Sequence, residues 1–322
     1  MLSILSESRD IYFNLALEEY LLRQKSVDIF MLWQSDPSVV VGKHQNTFAE
    51  INHTYIWKHN IPVARRLSGG GAVYHDPGNL NFTFIHNGEA GKLVNFKRFV
   101  TPVIEYLKTM KLEAVIGTKN DLLIDGIKIS GNAEHIFKQR VMHHGTLLFN
   151  ADLNALREIL RVVPGRYFDK AVQSNRSNVG NIFTFLDHPV TIFDFTMGLF
   201  YFLQKYYHAE RQYMLKEQET EIVRQLRNDK YITPEWIYNY SPSFEINREI
   251  NLTGQLLKLN FRIEKGIITH AALKSDLMSS KWKELEKRLI NLPYEFKHLK
   301  DVLHTSGIVP DDQISLCLEA IF

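Results

Sequence analysis

The chain has 322 residues, of which 45% are hydrophobic and 23% are charged, and its formal net charge at pH 7 is only +2. This is the composition of an ordinary soluble globular protein, and the length is comfortable for two domains. A net charge so close to zero argues against a dedicated nucleic-acid-binding protein, which would concentrate basic residues far more strongly.

Two further features bear on the compartment. The chain begins without the basic and then apolar pattern of a secretory signal, and its longest apolar patch, Phe195–Leu203, is too short to cross a bilayer. Cys317 is the only cysteine, so no disulfide can form within the chain. We therefore expect a cytoplasmic protein that acts without a membrane partner.

The first half of the chain alternates apolar segments with polar turns. Apolar residues at helical spacing predict an amphipathic helix over Asn14–Gln24 that serves as scaffold. Asp28–Gln34 and Ser38–Val41 are then predicted to be strands joined by a turn. A later group of short strands follows in close succession: Leu122–Ile124, Lys128–Ser130, Asn132–Lys138 and Met142–Asn150. Because several of these strands are joined by short turns, the pattern predicts sheets that are mixed or mainly antiparallel.

The second half contains a long polar stretch and a change of pattern. Arg166–Asn181 has no periodicity, and a stretch of that kind is either a functional loop or a surface excursion. A helix rich in Phe and Tyr is predicted over Thr191–His208. Residues 233–243 carry two prolines and no periodicity, so we predict a linker there between a domain of residues 1–232 and a domain of residues 244–322.

The most unusual stretch is Arg65–Asn81, which contains two arginines, three consecutive glycines and a Tyr-His-Asp sequence. Strand-like segments flank it, Ile61–Ala64 before and Leu80–Ile85 after, so we predict a hairpin. Three glycines in a row fill no space in a core, but they let backbone N–H groups approach a ligand closely. With arginines beside it, the turn suits a carboxylate or a phosphate, and a flexible surface turn is the alternative.

Two later segments carry further polar residues. An Asp-Gly pair between apolar runs in Asn120–Ala133 predicts a second hairpin, and Lys128 stands two residues beyond its turn. A third strand-like segment, Gln139–Leu153, contains two adjacent histidines. A lone lysine beyond a hairpin is normally a solvated edge residue, so a function for Lys128 depends on the motifs that accompany it.

In order and spacing, four segments closely resemble the lipoate–protein ligase A family: Arg65–Asn79, Asn120–Leu122, Lys128–Ala133 and His143–Leu153. The segment Ser177–Asn181 and, more weakly, the C-terminal domain extend the resemblance over nearly the whole chain. It implies an α+β fold in which a large catalytic domain has mixed, mainly antiparallel sheets flanked by helices, as in biotin and lipoate ligases. A small α/β C-terminal domain would follow.

The resemblance also implies an activity. A ligase of this family uses ATP and Mg²⁺ to activate free lipoate or octanoate as an acyl-AMP, with release of pyrophosphate. It then transfers the acyl group to the lysine Nε of lipoyl domains, such as those of 2-oxoacid dehydrogenase E2 subunits and the glycine cleavage H protein. Activation is needed because a carboxylate does not react with an amine at neutral pH, and cationic donors must surround the carboxylate and the α-phosphate.

The family pattern assigns roles to individual positions, with Lys128 as the catalytic residue that contacts both the acyl carbonyl and the phosphate. The implied ATP- or adenylate-binding positions, besides Lys128, are Arg66, Gly71, Ala72, Val73, Tyr74, Asp121 and Asn178. The implied lipoate-binding positions, besides Arg66 and Lys128, are Ser68, Gly70, His75, Asn79 and His144. Asp121 is also the candidate Mg²⁺ ligand, and a turn-capping role is its alternative.

Other readings of these residues stay open or are rejected. A transferase on the same fold would carry the acyl group on a cysteine thiolate, whereas Cys317 lies far in sequence from every motif, so only a cysteine-independent transferase remains as that alternative. A non-catalytic lipoyl-adenylate-binding module is the other alternative, and the presence of both Arg66 and Lys128 argues against it. Adjacent strand residues point to opposite faces, so His143 and His144 cannot hold one metal ion together.

Overall fold

The structure, a computed structural model, describes residues 1–88, 94–119, 121–162, 165–174, 177–209, 211–252, 254–275 and 280–322. Its strands are β1 Leu2–Leu5, β2 Ile29–Trp33, β3 Ser38–Val41, β4 Val63–Arg65, β5 Val73–His75, β6 Asn79–Asn87, β7 Val115–Ile116, β8 Leu122–Ile124, β9 Ile127–Ser130, β10 Asn132–Phe137, β11 Arg140–Leu148, β12 Tyr167–Phe168, β13 Phe244–Leu252, β14 Gln255–Glu264 and β15 Ile267–Ser275. Its helices are α1 Ile11–Gln24, α2 Thr47–Glu50, α3 His53–His59, α4 Phe96–Thr109, α5 Leu153–Ile159, α6 Ile192–Tyr206, α7 Glu217–Leu226, α8 Pro234–Ile237, α9 Ser280–Leu289, α10 Phe296–Ser306 and α11 Ile314–Ile321. None of the helices in these ranges is both long and apolar enough to cross a membrane.

The chain divides into two compact units. The first unit comprises Met1–Lys43, Ile61–Arg157 and Asn175–Ile232. The second unit comprises His44–Asn60, Glu158–Ser174 and Thr233–Phe322. Residues 44–60 and 158–174 therefore group with the end of the chain, whereas each predicted domain is one continuous stretch of sequence. The predicted linker contains the short helix α8. The boundaries at residues 232 and 244 stay a prediction.

The first unit is built on a five-stranded sheet in the order β1-β2-β6-β11-β10. Only β1 and β2 run parallel, so the sheet is mixed and mainly antiparallel, as the α+β prediction requires. The central strand β6 alternates in character. Leu80, Phe82 and Phe84 are buried in an apolar core together with residues of α4 and α6. Asn79, Asn81 and Thr83 lie on the opposite face, which is the polar face of the sheet.

Two three-stranded sheets complete the first unit, in the orders β4-β3-β5 and β7-β8-β9. The predicted hairpin across Arg65–Asn81 is wrong, because the strand before it, β4, pairs with β3, whereas the strand after it, β6, pairs with β2 and β11 in the five-stranded sheet. β5, which lies within the stretch, pairs with the other edge of β3. The predicted hairpin of β8 and β9 is confirmed. Its turn places Asp125 and Gly126 at positive φ, 50° and 77°, as a tight turn with an Asp-Gly pair requires.

The second unit contains an antiparallel sheet in the order β12-β13-β14-β15 together with helices α9, α10 and α11. Alternate residues of β14, among them Leu257, Leu259 and Phe261, are buried in a core with residues of all three helices. Phe48 of α2 belongs to the same core and lies 5.5 Å from Phe244, measured between ring centroids. The early segment is therefore held in the second unit by apolar packing.

Candidate active site

The glycine-rich loop between β4 and β5 is organised around the buried side chain of Arg66. Its Nη2 atom donates hydrogen bonds to the carbonyl oxygens of Gly69 and Gly71, at 2.6 and 2.8 Å, and its Nε atom donates to Ser68 Oγ at 3.0 Å. Burial lowers the pKa of Arg66 to about 10, and the negative charge of Glu18 opposes this shift. Because a pKa of about 10 is still well above neutral pH, the guanidinium stays protonated. Arg66 thus fixes the shape of the loop that was predicted to bind nucleotide.

The same loop passes very close to the end of β3. A Cβ atom added at Gly42 would lie only 2.1 Å from the carbonyl oxygen of Gly70, so no larger residue fits there. The Lys43 N–H donates to Ser68 O at 2.8 Å, which joins the two segments by a main-chain hydrogen bond. Local sequence does not reveal that position 42 requires glycine, because the requirement comes from Gly70, 28 positions away.

Ser68 begins a hydrogen-bonded chain that runs across the unit. Its Oγ atom lies 2.6 Å from Nε2 of His144, and Nδ1 of His144 lies 3.0 Å from both carboxylate oxygens of Glu18. Thr83 Oγ1 donates to Glu18 at 2.6 Å and accepts from Trp33 Nε1 at 3.1 Å. A carboxylate beside Nδ1 keeps the ring proton there, so Nε2 accepts a hydrogen bond from the Ser68 hydroxyl.

Glu18 is a site residue that the sequence analysis missed, because α1 was interpreted as scaffold only. A carboxylate that is 2% exposed is rare unless it is paired. The available signal was the Glu18-Glu19 pair within an otherwise apolar helical pattern. A buried acidic residue on an amphipathic helix predicts a polar partner, although the sequence does not say which.

His75 and Asn79 form a second polar group, at the end of β5 and the start of β6. Asn79 Nδ2 donates to His75 Nδ1 at 2.8 Å and to Asn81 Oδ1 at 3.0 Å. Burial lowers the pKa of His75 to about 3, with further lowering by Arg66 and His144, so its ring is neutral and accepts at Nδ1. Among the described residues, Asn79 Oδ1 and Asn81 Nδ2 are buried and have no hydrogen-bond partner. Unpaired buried polar atoms are costly, which favours a ligand there.

The adjacent histidines of β11 have opposite surroundings, as the strand geometry predicts. His143 is fully buried, with its ring 5.0 Å from that of Phe99 and its Nδ1 atom 3.1 Å from Glu134 Oε1. His144 lies opposite Thr83 on the polar face of the sheet. Within the described ranges, no group of three or more His, Cys, Asp or Glu side chains is placed to hold a metal ion.

Lys128 stands on β9, with its Nζ atom 4.0 Å from Asp121 Oδ2. Burial lowers the pKa of Lys128, Asp121 opposes this, and Lys119 adds to it. A Cβ atom placed on Gly131 would be 3.6 Å from the ammonium and 4.0 Å from Thr146 Oγ1, so the ammonium lies beside β11. Thr146 faces the same way as His144 and pairs across the sheet with Asn81. Lys128 therefore adjoins the polar face.

The remaining predicted site positions lie in two places, the glycine loop with the start of β5 and the main chain beside β9. Gly71, Ala72, Val73 and Tyr74 form the end of the glycine loop and the start of β5, and Tyr74 pairs in register with Val39. Asn178 lies beside β9, where its carbonyl oxygen accepts from Lys128 N at 2.9 Å. Asn120, part of the Asn-Asp motif, lies outside the described residues. Cys317 is buried among apolar residues of the second unit, and burial raises the pKa of its thiol to about 12.

Comparison with known proteins places this geometry in a family. A model of the lipoyl protein ligase A/B catalytic domain matches residues 10–201, and a model of the bacterial lipoate protein ligase C-terminus matches residues 241–311. Lipoate–protein ligase 1 of Staphylococcus aureus is 36% identical over 293 residues, which cover 90% of this chain and 89% of that protein.

Solved structures agree with these matches. A lipoate-protein ligase A bound with ATP is 27% identical with a TM-score of 0.63, and the match covers 74% of this chain and 98% of that one. A bipartite lipoate protein ligase from Thermoplasma acidophilum, studied with its E2 lipoyl domain, is 28% identical with a TM-score of 0.64, covering 74% and 95%. Because both family models match and a relative is 36% identical over 90% of this chain, this chain belongs to the lipoate–protein ligase family.

Proposed function

We infer that the protein is an ATP-dependent lipoate–protein ligase, which converts free lipoate or octanoate to an acyl-AMP and then transfers the acyl group to a lysine of a lipoyl domain. The observation that carries this inference is the Lys128 ammonium beside Asp121 and Gly131, at the edge of a polar face that presents Thr146, His144, Asn79 and Asn81. The relatives named above, one of them bound with ATP, support it.

In the first step a carboxylate oxygen of the acid attacks the α-phosphorus of ATP. The bond from that phosphorus to the bridging oxygen breaks, and pyrophosphate leaves with the electron pair. Negative charge is crowded at the meeting point of carboxylate and phosphate, and a protonated lysine there stabilises the transition state. We assign this role to Lys128, and we assign nucleotide binding to the main chain of Gly71–Tyr74, to Asp121 and to Asn178.

In the second step the uncharged amine of the acceptor lysine attacks the acyl carbonyl, AMP leaves, and the amine proton is released. The acyl chain itself needs an apolar slot with a few polar contacts at its reactive end. Asn79, Asn81 and His75 supply such contacts, because two of their buried polar atoms have no partner among the described residues. Arg66, Ser68, Gly70, His144 and Lys128 complete the proposed lipoate site, and Arg66 acts chiefly by holding the loop in shape.

Mg²⁺ is part of the proposal, with Asp121 as its protein ligand. The site fits that ion, since magnesium takes one or two carboxylates together with phosphate oxygens, and Asp121 offers one carboxylate close to Lys128. When bound, Mg²⁺ would neutralise negative charge on the phosphates, as we propose that Lys128 does at the α-phosphate.

We propose lipoyl domains as the acceptors, including those of 2-oxoacid dehydrogenase E2 subunits and the glycine cleavage H protein. We also propose that the protein acts in the cytoplasm. The Thermoplasma acidophilum ligase was studied with an E2 lipoyl domain, which supports this class of partner. A mechanism through a cysteine thioester is disfavoured, because the buried Cys317 thiol has its pKa raised to about 12 and so offers no thiolate at neutral pH.

The test is lipoate-dependent exchange of pyrophosphate into ATP, with octanoate and biotin as alternative acids. We expect exchange with lipoate and octanoate, and Lys128→Ala should lower the rate by about a hundredfold or more without lowering the melting temperature. Lys108→Ala, an exposed lysine on α4, is the matched control and should exchange normally. A folded Lys128→Ala protein with the wild-type rate would overturn the assignment, and no exchange by the wild type would point to a binding module.

A further inference from the structure

The main chain of Lys128 is held from outside its own sheet. Its N–H donates to the carbonyl oxygen of Asn178 at 2.9 Å, and its carbonyl oxygen accepts from the N–H of Gly180 at 3.0 Å. The two bonds form a parallel bridge centred on Val179. Because β9 is at the edge of its three-stranded sheet, these two Lys128 groups would otherwise lack a strand partner. The segment of residues 178–181 thus completes the edge of the sheet at Lys128 itself.

Asn181 anchors this segment to the end of the strand that bears His144 and Thr146. Its side chain is buried, with Oδ1 accepting from Ala151 N and Nδ2 donating to Ala151 O, both at 2.9 Å. The carboxamide therefore pairs with one residue's main chain as a neighbouring strand would. Phe183 N donates to Phe149 O at 2.9 Å and continues the attachment.

Gly180 lets the segment lie directly against β9. A Cβ atom at this position would be 2.7 Å from Cγ2 of Ile127, the residue before the lysine. The side chain of isoleucine is branched at Cβ and stiff about χ1, so it cannot easily turn aside. Any residue larger than glycine would push the segment away from the strand.

We propose that residues 178–181 form a positioning clamp for Lys128, with Asn181 as the anchor and Gly180 as the point of closest approach. The proposal rests on the role of Lys128 in the proposed function. A lysine side chain has four rotatable bonds, so its ammonium can be placed accurately only if the main chain from which it extends is fixed. Fixing both main-chain groups of Lys128 gives the transition-state contact a defined geometry, and misplacement by about 1 Å slows such reactions by about a hundredfold.

The first test uses the contact between Gly180 and Ile127. Gly180→Ala should lower kcat for pyrophosphate exchange by about tenfold. The KM for ATP should rise as well, because the displaced segment also carries Asn178, which is assigned to nucleotide binding. Ile127→Ala removes Cγ2, leaving the remaining Cβ atom 3.9 Å from the added methyl group, so the double variant should regain most of the lost rate. Ile127→Ala alone is the control. A normal kcat in Gly180→Ala, or no recovery in the double variant, would overturn the clamp.

The second test reads the clamp without catalysis, by hydrogen exchange of the Lys128 and Gly180 amides. Asn181→Ala should speed exchange at both amides by about tenfold, as for a local opening. Asn14→Ala is the matched control, since Asn14 is buried and donates to the carbonyl oxygens of Ser8 and Gln34 in the same unit. It should leave the Lys128 amide protected. Equal protection in Asn181→Ala and wild type would contradict the proposal.

The two proposals fail in different ways. If Lys128→Ala keeps the wild-type rate of pyrophosphate exchange, the assigned role of Lys128 is wrong. Protection of the Lys128 and Gly180 amides from hydrogen exchange still reports whether the clamp exists. If Lys128→Ala is inactive while Gly180→Ala and Asn181→Ala both behave like wild type, the clamp is wrong and the ligase assignment is untouched.

Discussion

The ammonium group of Lys128 is subject to opposing influences. Partial burial removes water that would stabilise the charge and lowers the pKa, the Asp121 carboxylate raises it, and the nearby Lys119 lowers it again. The proposed chemistry needs the protonated lysine. Activity should therefore be lost as pH rises through the pKa of Lys128, which is below that of an ordinary lysine.

Changing the neighbouring charge should move this alkaline limit. Lys119→Gln removes a like charge, so the pKa of Lys128 rises and the fall in exchange activity shifts to higher pH. Asp121→Asn removes the opposite charge and should shift the fall to lower pH. The measurement is the pH profile of kcat/KM for pyrophosphate exchange at neutral and alkaline pH. A Lys119→Gln profile that coincides with wild type or shifts downward would contradict this account.

Cys317 provides a test of the route that the acyl group takes. Its thiol is neutral at physiological pH because burial raises its pKa to about 12, so it cannot act as a nucleophile. Cys317→Ser should transfer lipoyl groups at nearly the wild-type rate, with a stability cost of about 1 kcal/mol for a polar atom in an apolar core. Detection of an acyl thioester on Cys317 by mass spectrometry would contradict this prediction.

Individual polar residues were predictable where a motif carried them and not where a distant partner defined them. Ser68 and His144 came from the family resemblance, and they lie in hydrogen-bond contact. Glu18 was missed, although it contacts the same histidine across 126 positions of sequence. A helix pattern reveals that a carboxylate is buried, but the partner that makes burial tolerable is known only from the fold. The ligand roles of these residues stay predictions.

At the scale of elements, the order of strands was easier to predict than their pairing. The hairpin was expected to join Ile61–Ala64 to Leu80–Ile85, yet the first of these pairs with Ser38–Val41 and the second lies in β6, which pairs with β2 and β11. β5 falls between them and pairs with the other edge of Ser38–Val41, and the loop of residues 66–72 before it is long enough to cross over that strand. The Asp-Gly hairpin was predicted correctly because a two-residue turn leaves only one partner possible. β13 was missed because the charged Arg248 interrupts its alternation.

The approach of Gly42 to Gly70 gives an element-scale prediction. Gly42→Ala should displace the glycine loop from β3 and lower the free energy of unfolding by about 1–3 kcal/mol, as overpacking typically does. Gly69→Ala is the matched control, since a Cβ atom at Gly69 meets nothing within 4 Å. Thermal unfolding of both variants is the measurement. Equal melting temperatures for the two would show that the close approach does not constrain the loop.

At the scale of the whole molecule, the two units each have their own core, and neither is one continuous stretch of sequence. Local patterns cannot reveal that residues 44–60 and 158–174 join the end of the chain, because the joining contacts are non-local. Phe48 packs with Phe244, and β12 pairs with β13. The sequence predicted two units and an antiparallel hairpin covered by helices in the second one. It could not predict that residues 44–60 and 158–174 belong to the second unit, because that depends on packing between distant residues.

The core of the second unit contains a histidine that should make the protein sensitive to acid. His53 is 3% exposed, its ring stacks on Phe48 at 5.3 Å, and its Nε2 atom has no partner among the described residues. Burial lowers its pKa from 6.5 to about 3, while a backbone hydrogen bond involving Phe48 opposes this. As pH falls below 6.5 the unfolded chain takes up this proton first. Neutral His53 therefore adds no acid-dependent loss of stability above pH 6.5. Below that pH the free energy of unfolding falls progressively, until the pH reaches the folded-state pKa of about 3.

His53→Phe keeps the aromatic packing and removes the proton uptake. At about pH 5 the histidine should cost the wild type about 2 kcal/mol relative to neutral pH, and the variant should lack that component. His59→Gln, an exposed histidine on the same helix, is the control and should keep the wild-type pH dependence. Urea unfolding of the full chain at both pH values measures the difference. If His53→Phe lost as much stability on acidification as wild type, the acid sensitivity would have to come from elsewhere, and the buried neutral histidines of the first unit, His75 and His86, would be the next groups to replace.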